Sequence, residues 1–237
     1  MSDLIHILST GPLTGHPVPE GFVVDEYSFI ATVPVLNAEI QEEIRQLSLQ
    51  SVIVVFTSVQ AVETVAAALD DFQPDWRIYC MGQATQDKIR ELFGETSIAG
   101  TGHTALTLAH HLLENEPDAV EAFFFCGDKR RPELPDFLRS NGVEVVELVV
   151  YQTLLTPVQL KKQYQAILFY SPSAVESFFA VNIVPAETML FAIGSTTAKR
   201  IADLCRNRVI QAAIPGKQAL LEAAIGYFNQ SSSLTTH

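Results

Sequence analysis

A chain of 237 residues that is 48% hydrophobic and 18% charged has apolar material for one large core or two small ones. Its 15 Lys and Arg stand against 27 Asp and Glu, a net charge of −12 that argues against nucleic acid and against an anionic membrane surface as partners. No apolar run reaches the roughly 18–20 residues that span a bilayer, the opening MSDLIHILSTGPLTG lacks the parts of an export signal, and three scattered cysteines (Cys80, Cys126, Cys205) fit a reducing cytoplasm.

In chain order, LIHILSTGPL (4–13) and GFVVDEYSF (21–29) come first, and each has a counterpart later in the chain. VIVVF (52–56) reads as a strand and precedes a helix on which Val62, Val65, Ala66 and Leu69 share one face. WRIYCM (76–81) precedes a helix carrying Ile89, Leu92 and Phe93. A short strand at SIA leads to a helix from Thr104, FFFC (123–126) to a helix with Leu134, Phe137 and Leu138, and VEVVELVVY (143–151) closes the series. Strands alternating with helices predict parallel sheets covered on both faces.

The second half repeats the first. FTSVQAVE begins at Phe56 and FYSPSAVE at Phe169; CMGQATQDKI begins at Cys80 and AIGSTTAKRI at Ala192; IAGTGHTAL begins at Ile98 and AAIPGKQAL at Ala212, so the offsets are 113, 112 and 114 residues. The strand–helix–strand at 122–151 has no partner after Phe228 but has one at the N-terminus, where Gly21 and Val24 mirror Gly142 and Val145. The expected fold is therefore α/β, two similar parallel-sheet lobes (flavodoxin-like halves) joined by a two-segment hinge with a cleft between them. One lobe comprises 1–32 plus 157–237, the other 38–148, and the hinge segments are 28–37 and 148–157. The polar tail SSSLTTH is expected to be disordered.

In such sheets ligands bind beyond the carboxyl ends of the strands, over helix N-termini. The residues there are small and hydroxylic: Ser58, Thr104, Ser171, Ser173, Gly194, Thr196 and Thr197. They either cap helices or hold carboxylate or phosphate groups. CGDKRRPEL (126–134) is the densest basic spot, with Lys129 and Arg130 reading as a solvated loop or a carboxylate clamp. AGTGHTA (99–105) follows a late strand and lacks the acid that a dinucleotide site requires. His103, His110 and His111 have no Cys or acid at ligand spacing, so no metal is expected.

Together, FTSVQAVE, GHTA, CGDKRRPELPDFL followed by SNGVEVVELVVYQT, FYSPSAVESFF and IGSTTAKRIA resemble the uroporphyrinogen-III synthase family, from about residue 50 to residue 228. Two positions depart from its pattern: an Arg-Pro usual after the first strand is STGP here, and Gln60 stands where FTSxNAV has Asn. The resemblance implies a cofactor-free lyase that closes hydroxymethylbilane, an eight-carboxylate linear tetrapyrrole, with loss of water and inversion of the last pyrrole. It implies an enzyme in which Tyr151 donates the proton and Ser58, Thr104, Ser171, Ser173, Thr196 and Thr197 hold substrate carboxylates; Lys129, Arg130 and Gly194 are added to the substrate-binding set from their places in the chain, and a monomeric, cytoplasmic protein is expected. The residues also leave open a non-catalytic two-lobed binding or regulatory module for a small polycarboxylate, and a receptor for an organic acid.

Overall fold

Strand β1 (Ile5–Ser9) and strand β2 (Phe22–Glu26) open the chain in a computed structural model that describes residues 4–13, 15, 17–214 and 216–234, the last four by backbone alone. There follow β3 (Ile30–Pro34), α1 (Ala38–Ser48), β4 (Ile53–Phe56), α2 (Val59–Leu69), β5 (Arg77–Met81) and α3 (Gln83–Phe93). Next come β6 (Ile98–Gly102), α4 (Ala105–Asn115), β7 (Glu121–Gly127), α5 (Glu133–Ser140) and β8 (Glu144–Leu155). The chain ends with β9 (Ala166–Phe169), α6 (Pro172–Phe179), β10 (Met189–Ala192), α7 (Ser195–Leu204), β11 (Val209–Gln211) and α8 (Lys217–Leu234). Two units result: Met1–Ala31 with Leu154–His237, called unit 1, and Thr32–Thr153, called unit 2.

Unit 2 is built on the sheet β3-β8-β7-β4-β5-β6 and unit 1 on β11-β10-β9-β1-β2. The register runs parallel for β4 with β5 and β7, β5 with β6, and β7 with β8. It is likewise parallel for β1 with β2 and β9, and for β10 with β9 and β11. Reading β4, β5, β6, β7 and β8 against β9, β10, β11, β1 and β2 gives the same order in both sheets, so the sequence repeat is a repeat of topology.

Each sheet is covered on both faces because successive strand side chains point opposite ways. In β4, Val54 and Phe56 pack with Ile44 of α1, Val62 of α2 and Ile89 of α3, while Ile53 and Val55 pack with Leu108 of α4 and Leu134 of α5. In β9, Ile167 and Phe169 meet Val175 of α6 and Ile201 of α7, and Ala166 and Leu168 meet Leu220 and Leu221 of α8. A strand buried on both faces reads as an unbroken apolar run, which is why VIVVF was legible and why AILF of β9 has the same character.

Three features differ from the sequence reading. Among the described residues no helix joins β1 to β2, although α5 joins β7 to β8. Pro12, Pro17 and Pro19 explain it, since each removes a backbone N–H that a helix would need. The segments assigned to the hinge are strand over much of their length, and the unit boundaries at 31/32 and 153/154 fall inside β3 and β8. Residues 32–37 and 149–153 thereby belong to unit 2, where Val35 N–H bonds to the Val150 carbonyl at 2.8 Å. Lastly, α8 continues through Ser231–Leu234 of the tail expected to be disordered, and 235–237 lie outside the described residues.

Candidate functional site

The edge of unit 2 at the carboxyl ends of its strands carries the helix starts. Ser58 precedes α2 in extended backbone and its Oγ accepts the Ala61 N–H at 3.2 Å. Thr104 does the same for α4, accepting Thr107 N–H at 3.1 Å, with the two threonine hydroxyls 2.6 Å apart. Both are N-caps, each satisfying a donor that the helix leaves over.

Tyr151 reaches this edge because of an irregularity in strand pairing. Cys126 pairs with Val149 but Gly127 pairs with Tyr151, so β8 carries one extra residue, Val150, at that point. A bulge of this kind breaks the alternation of faces. Val150 and Tyr151, neighbours in sequence, accordingly both pack against the cluster that includes Phe56 and Val62. The phenol then lies across the end of β7, where a Cβ added to Gly127 would fall within 2.7 Å of Tyr151 Cζ, Cε2 and Oη. Gly127 is not in the left-handed region, so what the ring requires there is space. Strand and loop are locked beside it: Asp128 N–H donates to the Tyr151 carbonyl at 3.1 Å and Thr153 N–H to Asp128 Oδ1 at 2.9 Å.

Burial pushes the Tyr151 phenol above its ordinary value, and a hydrogen bond from Ser58 works against that rise. The group is a neutral proton donor at pH 7. A hydroxyl that gives its proton to the phenol oxygen leaves the phenol's own proton for another acceptor. Tyr151 also borders a pocket of about 240 Å³ with Thr32, Gln60 and Thr64, so the side chain that departs from the family pattern lines the same recess.

The basic loop behaves differently from a free clamp. Arg130 is ion-paired with Glu147, which Arg139 also holds at 2.9 Å. Burial raises the Glu147 carboxyl, yet the two guanidinium bonds outweigh it and leave the group below its ordinary value. Arg130 therefore has an internal acid partner, whereas Lys129 is exposed. The sequence shows Arg130 and Glu147 only as charges 17 residues apart.

In unit 1 the corresponding edge carries Ser171, whose Oγ accepts Ala174 N–H at 3.1 Å, with Ser173 half-buried in the first turn of α6. Gly194 precedes α7 without a side-chain cap, Thr196 is half-buried, and Thr197, in the first turn of α7, is 2% exposed. Thr197, like Thr85 at the repeat-equivalent place, is packed inside its unit and does not present its hydroxyl to solvent. This edge also holds three residues that the motifs did not single out: Ser9, Tyr170 and Lys217.

No three His, Cys, Asp or Glu side chains gather among the described residues to hold a metal. His111 Nδ1 lies 2.6 Å from the Thr101 carbonyl and His110 packs on the Phe137 ring at 4.7 Å. The Cys80 and Cys126 thiols are pushed up by burial to about 11 and about 12, which makes them core groups. No helix of the described residues is long and apolar enough to cross a membrane. Gly127 was missed in the sequence although a glycine ending an apolar strand is itself a signal of close approach.

The sequence matches the family described as uroporphyrinogen-III synthase HemD over residues 19–222. Among solved structures, a mutant uroporphyrinogen III synthase from Thermus thermophilus is 16% identical with a TM-score of 0.61, the match covering 96% of this chain and 99% of that one. A uroporphyrinogen-III synthetase from Helicobacter pylori is 14% identical with a TM-score of 0.64, covering 94% and 100%. At such identities these likenesses speak for the fold.

Proposed function

The chain belongs to the uroporphyrinogen-III synthase family, and from that membership we propose that it closes hydroxymethylbilane to uroporphyrinogen III in tetrapyrrole (haem) biosynthesis. The observation that carries the reading, beyond the family match, is the half-buried phenol of Tyr151, seated over Gly127 at the strand ends, with Ser58 favouring its ionised form. Tyr151 gives its proton to the terminal hydroxyl, the carbon–oxygen bond breaks and water leaves. The Ser58 hydroxyl stabilises the phenolate meanwhile. Ring closure, with inversion of the last pyrrole, releases a proton from the attacked pyrrole carbon, and that proton restores the phenol. The balance is substrate to product plus water.

The remaining task is to hold one folded conformation of a flexible chain, which is an orientation effect. Thr104 and Lys129 in unit 2 and Ser171, Ser173, Gly194 and Thr196 in unit 1 offer hydroxyls, a cation and helix-start N–H groups to substrate carboxylates, while Ser58, its one proton given to Tyr151, serves them through the start of α2 that it caps. Arg130 serves by sharing its guanidinium with Glu147, and Thr197 anchors the first turn of α7 in the interior of its unit. The unpaired thiols favour a reducing cytoplasm as the place of work, and the enzyme acts as a monomer.

Incubating the purified protein with hydroxymethylbilane and separating the isomers tests the reading. Type III is expected; the uninverted isomer alone, as the unassisted reaction gives, would overturn it. Because the leaving group needs only a proton, exhaustive dialysis against a chelator is expected to leave the rate of isomer-III formation unchanged. Activity lost on dialysis and restored by a divalent metal would contradict the proton-donor scheme.

A further inference from the structure

An acidic protein acting on an eight-carboxylate substrate needs local positive charge, because its long-range field opposes encounter. Most described cations are already engaged with acids: Arg77 with Glu116, Lys88 with Glu91, Arg90 with Glu95, Arg139 with Glu147 and Arg200 with Glu176. Lys217 is different. It opens α8, and its Nζ donates to the Pro12 carbonyl at 2.7 Å while standing 5.5 Å from the centre of the Tyr170 ring.

Three elements build this corner, all at the carboxyl ends of strands in unit 1: Pro12 follows β1, Tyr170 follows β9, and Lys217 follows β11. Tyr170 is fixed in turn. Its Oη is 2.9 Å from Ser9 Oγ, and since Ser9 gives its own proton to the Gly11 carbonyl, the phenol donates to Ser9. Gly11 leaves room for the ring, as a Cβ there would come within 3.2 Å of Tyr170 Cδ2. A lysine whose ammonium is already held over a ring and bonded to a carbonyl loses little freedom when it binds an anion. Burial lowers the Lys217 pKa and Glu26 acts through space in the opposite sense, with the Glu26 carboxylate itself bonded to Leu13 N–H at 3.1 Å. In the repeat, Lys217 stands where unit 2 has the exposed His103, so this cation belongs to one unit alone.

We propose that Lys217 is a carboxylate-binding residue of the unit 1 edge, positioned by Pro12, Tyr170 and Ser9, and that it takes a side-chain carboxylate of the tetrapyrrole. The proposal rests on the function given above. An ammonium partly withdrawn from water has three N–H donors, of which the described residues take one, to the Pro12 carbonyl; a carboxylate would accept another in a charge-assisted bond, the stronger kind. Standing over the ring of Tyr170, the residue that precedes the Ser171 cap of α6, it adds fixed charge to an edge whose helix starts carry neutral donors.

The test combines kinetics with equilibrium binding of uroporphyrin III, an oxidised octacarboxylate that needs no turnover, followed by fluorescence. Lys217→Gln is expected to raise KM for hydroxymethylbilane and weaken uroporphyrin binding about tenfold, with kcat changed less than about twofold. Lys217→Arg should restore most of both, and added salt should weaken wild-type binding more than that of the variant. Lys217→Met, which keeps an unbranched apolar side chain of similar length, repeats the measurement should Gln loosen the corner. Unchanged KM and unchanged uroporphyrin affinity in an active, folded variant would overturn the proposal, leaving Lys217 as a tether for Pro12. A wild-type protein that makes no isomer III, yet binds uroporphyrin in a Lys217-dependent way, would sink the enzymatic reading and keep the carboxylate site.

Discussion

Replacing Tyr151 by Phe is expected to slow hydroxymethylbilane turnover roughly 10²–10⁴-fold, the usual worth of one general acid. The change removes a single oxygen from a ring that keeps its place over Gly127 and against the Phe56 cluster. Substrate affinity should therefore change little, and the cost to stability should be only about 0.5–1.5 kcal/mol for one lost hydrogen bond. Because burial raises the phenol pKa above its ordinary value, the wild-type rate should show no loss from Tyr151 ionisation through neutral pH. The group is protonated below its pKa and loses its donor function only as pH climbs past it, above the usual tyrosine value of about 10. Steady-state rates from pH 6 to the alkaline limit of stability, with chromatography of the isomers, measure this. Wild-type turnover in Tyr151→Phe would reduce the residue to packing and pass the leaving-group proton to water or to the substrate's own acids.

Gly127→Ala should be nearly as damaging, although it deletes nothing chemical. The added methyl would fall within 2.7 Å of three atoms of the phenol ring, closer than non-bonded carbon atoms tolerate. The β7 backbone is held by its pairing with β4 and β8, so the ring is what must move, away from Ser58. We expect turnover to fall about 10²-fold or more, with about 1–3 kcal/mol lost from stability through overpacking. The informative quantity is the double variant. If Gly127 matters only through Tyr151, then Gly127→Ala in the Tyr151→Phe background should cost little further rate, a strong departure from additivity. Additive losses would show that Gly127 acts by another route, for instance by shaping the loop at Asp128. Denaturant unfolding of each variant separates displaced chemistry from a loosened unit.

The sequence alone carried the repeat, the order of strands and helices in each half, and the hydroxyl-bearing helix starts. It could do so because these are local properties. An apolar run records a strand buried on two faces, a 3.6-residue period records one covered helix face, and Ser58, Thr104 and Ser171 cap the helices that begin immediately after them. Even the absence of a helix among the described residues between β1 and β2 was written in Pro12, Pro17 and Pro19, although the repeat argued for a helix there. What the tertiary structure decided depends on register and on partners far apart in sequence. The extra residue in β8 turns Tyr151 onto the same face as Val150 and across Gly127, and no periodicity announces a bulge. Arg130 looked like a clamp until its neighbour proved to be Glu147. Ser9 meets Tyr170 over 161 residues and Lys217 meets Pro12 over 205, contacts that exist only because β1, from the chain's beginning, lies beside β9, with β10 and β11 beyond it. Side-chain chemistry is local to the residue, but the position at which it is displayed is a property of the sheet.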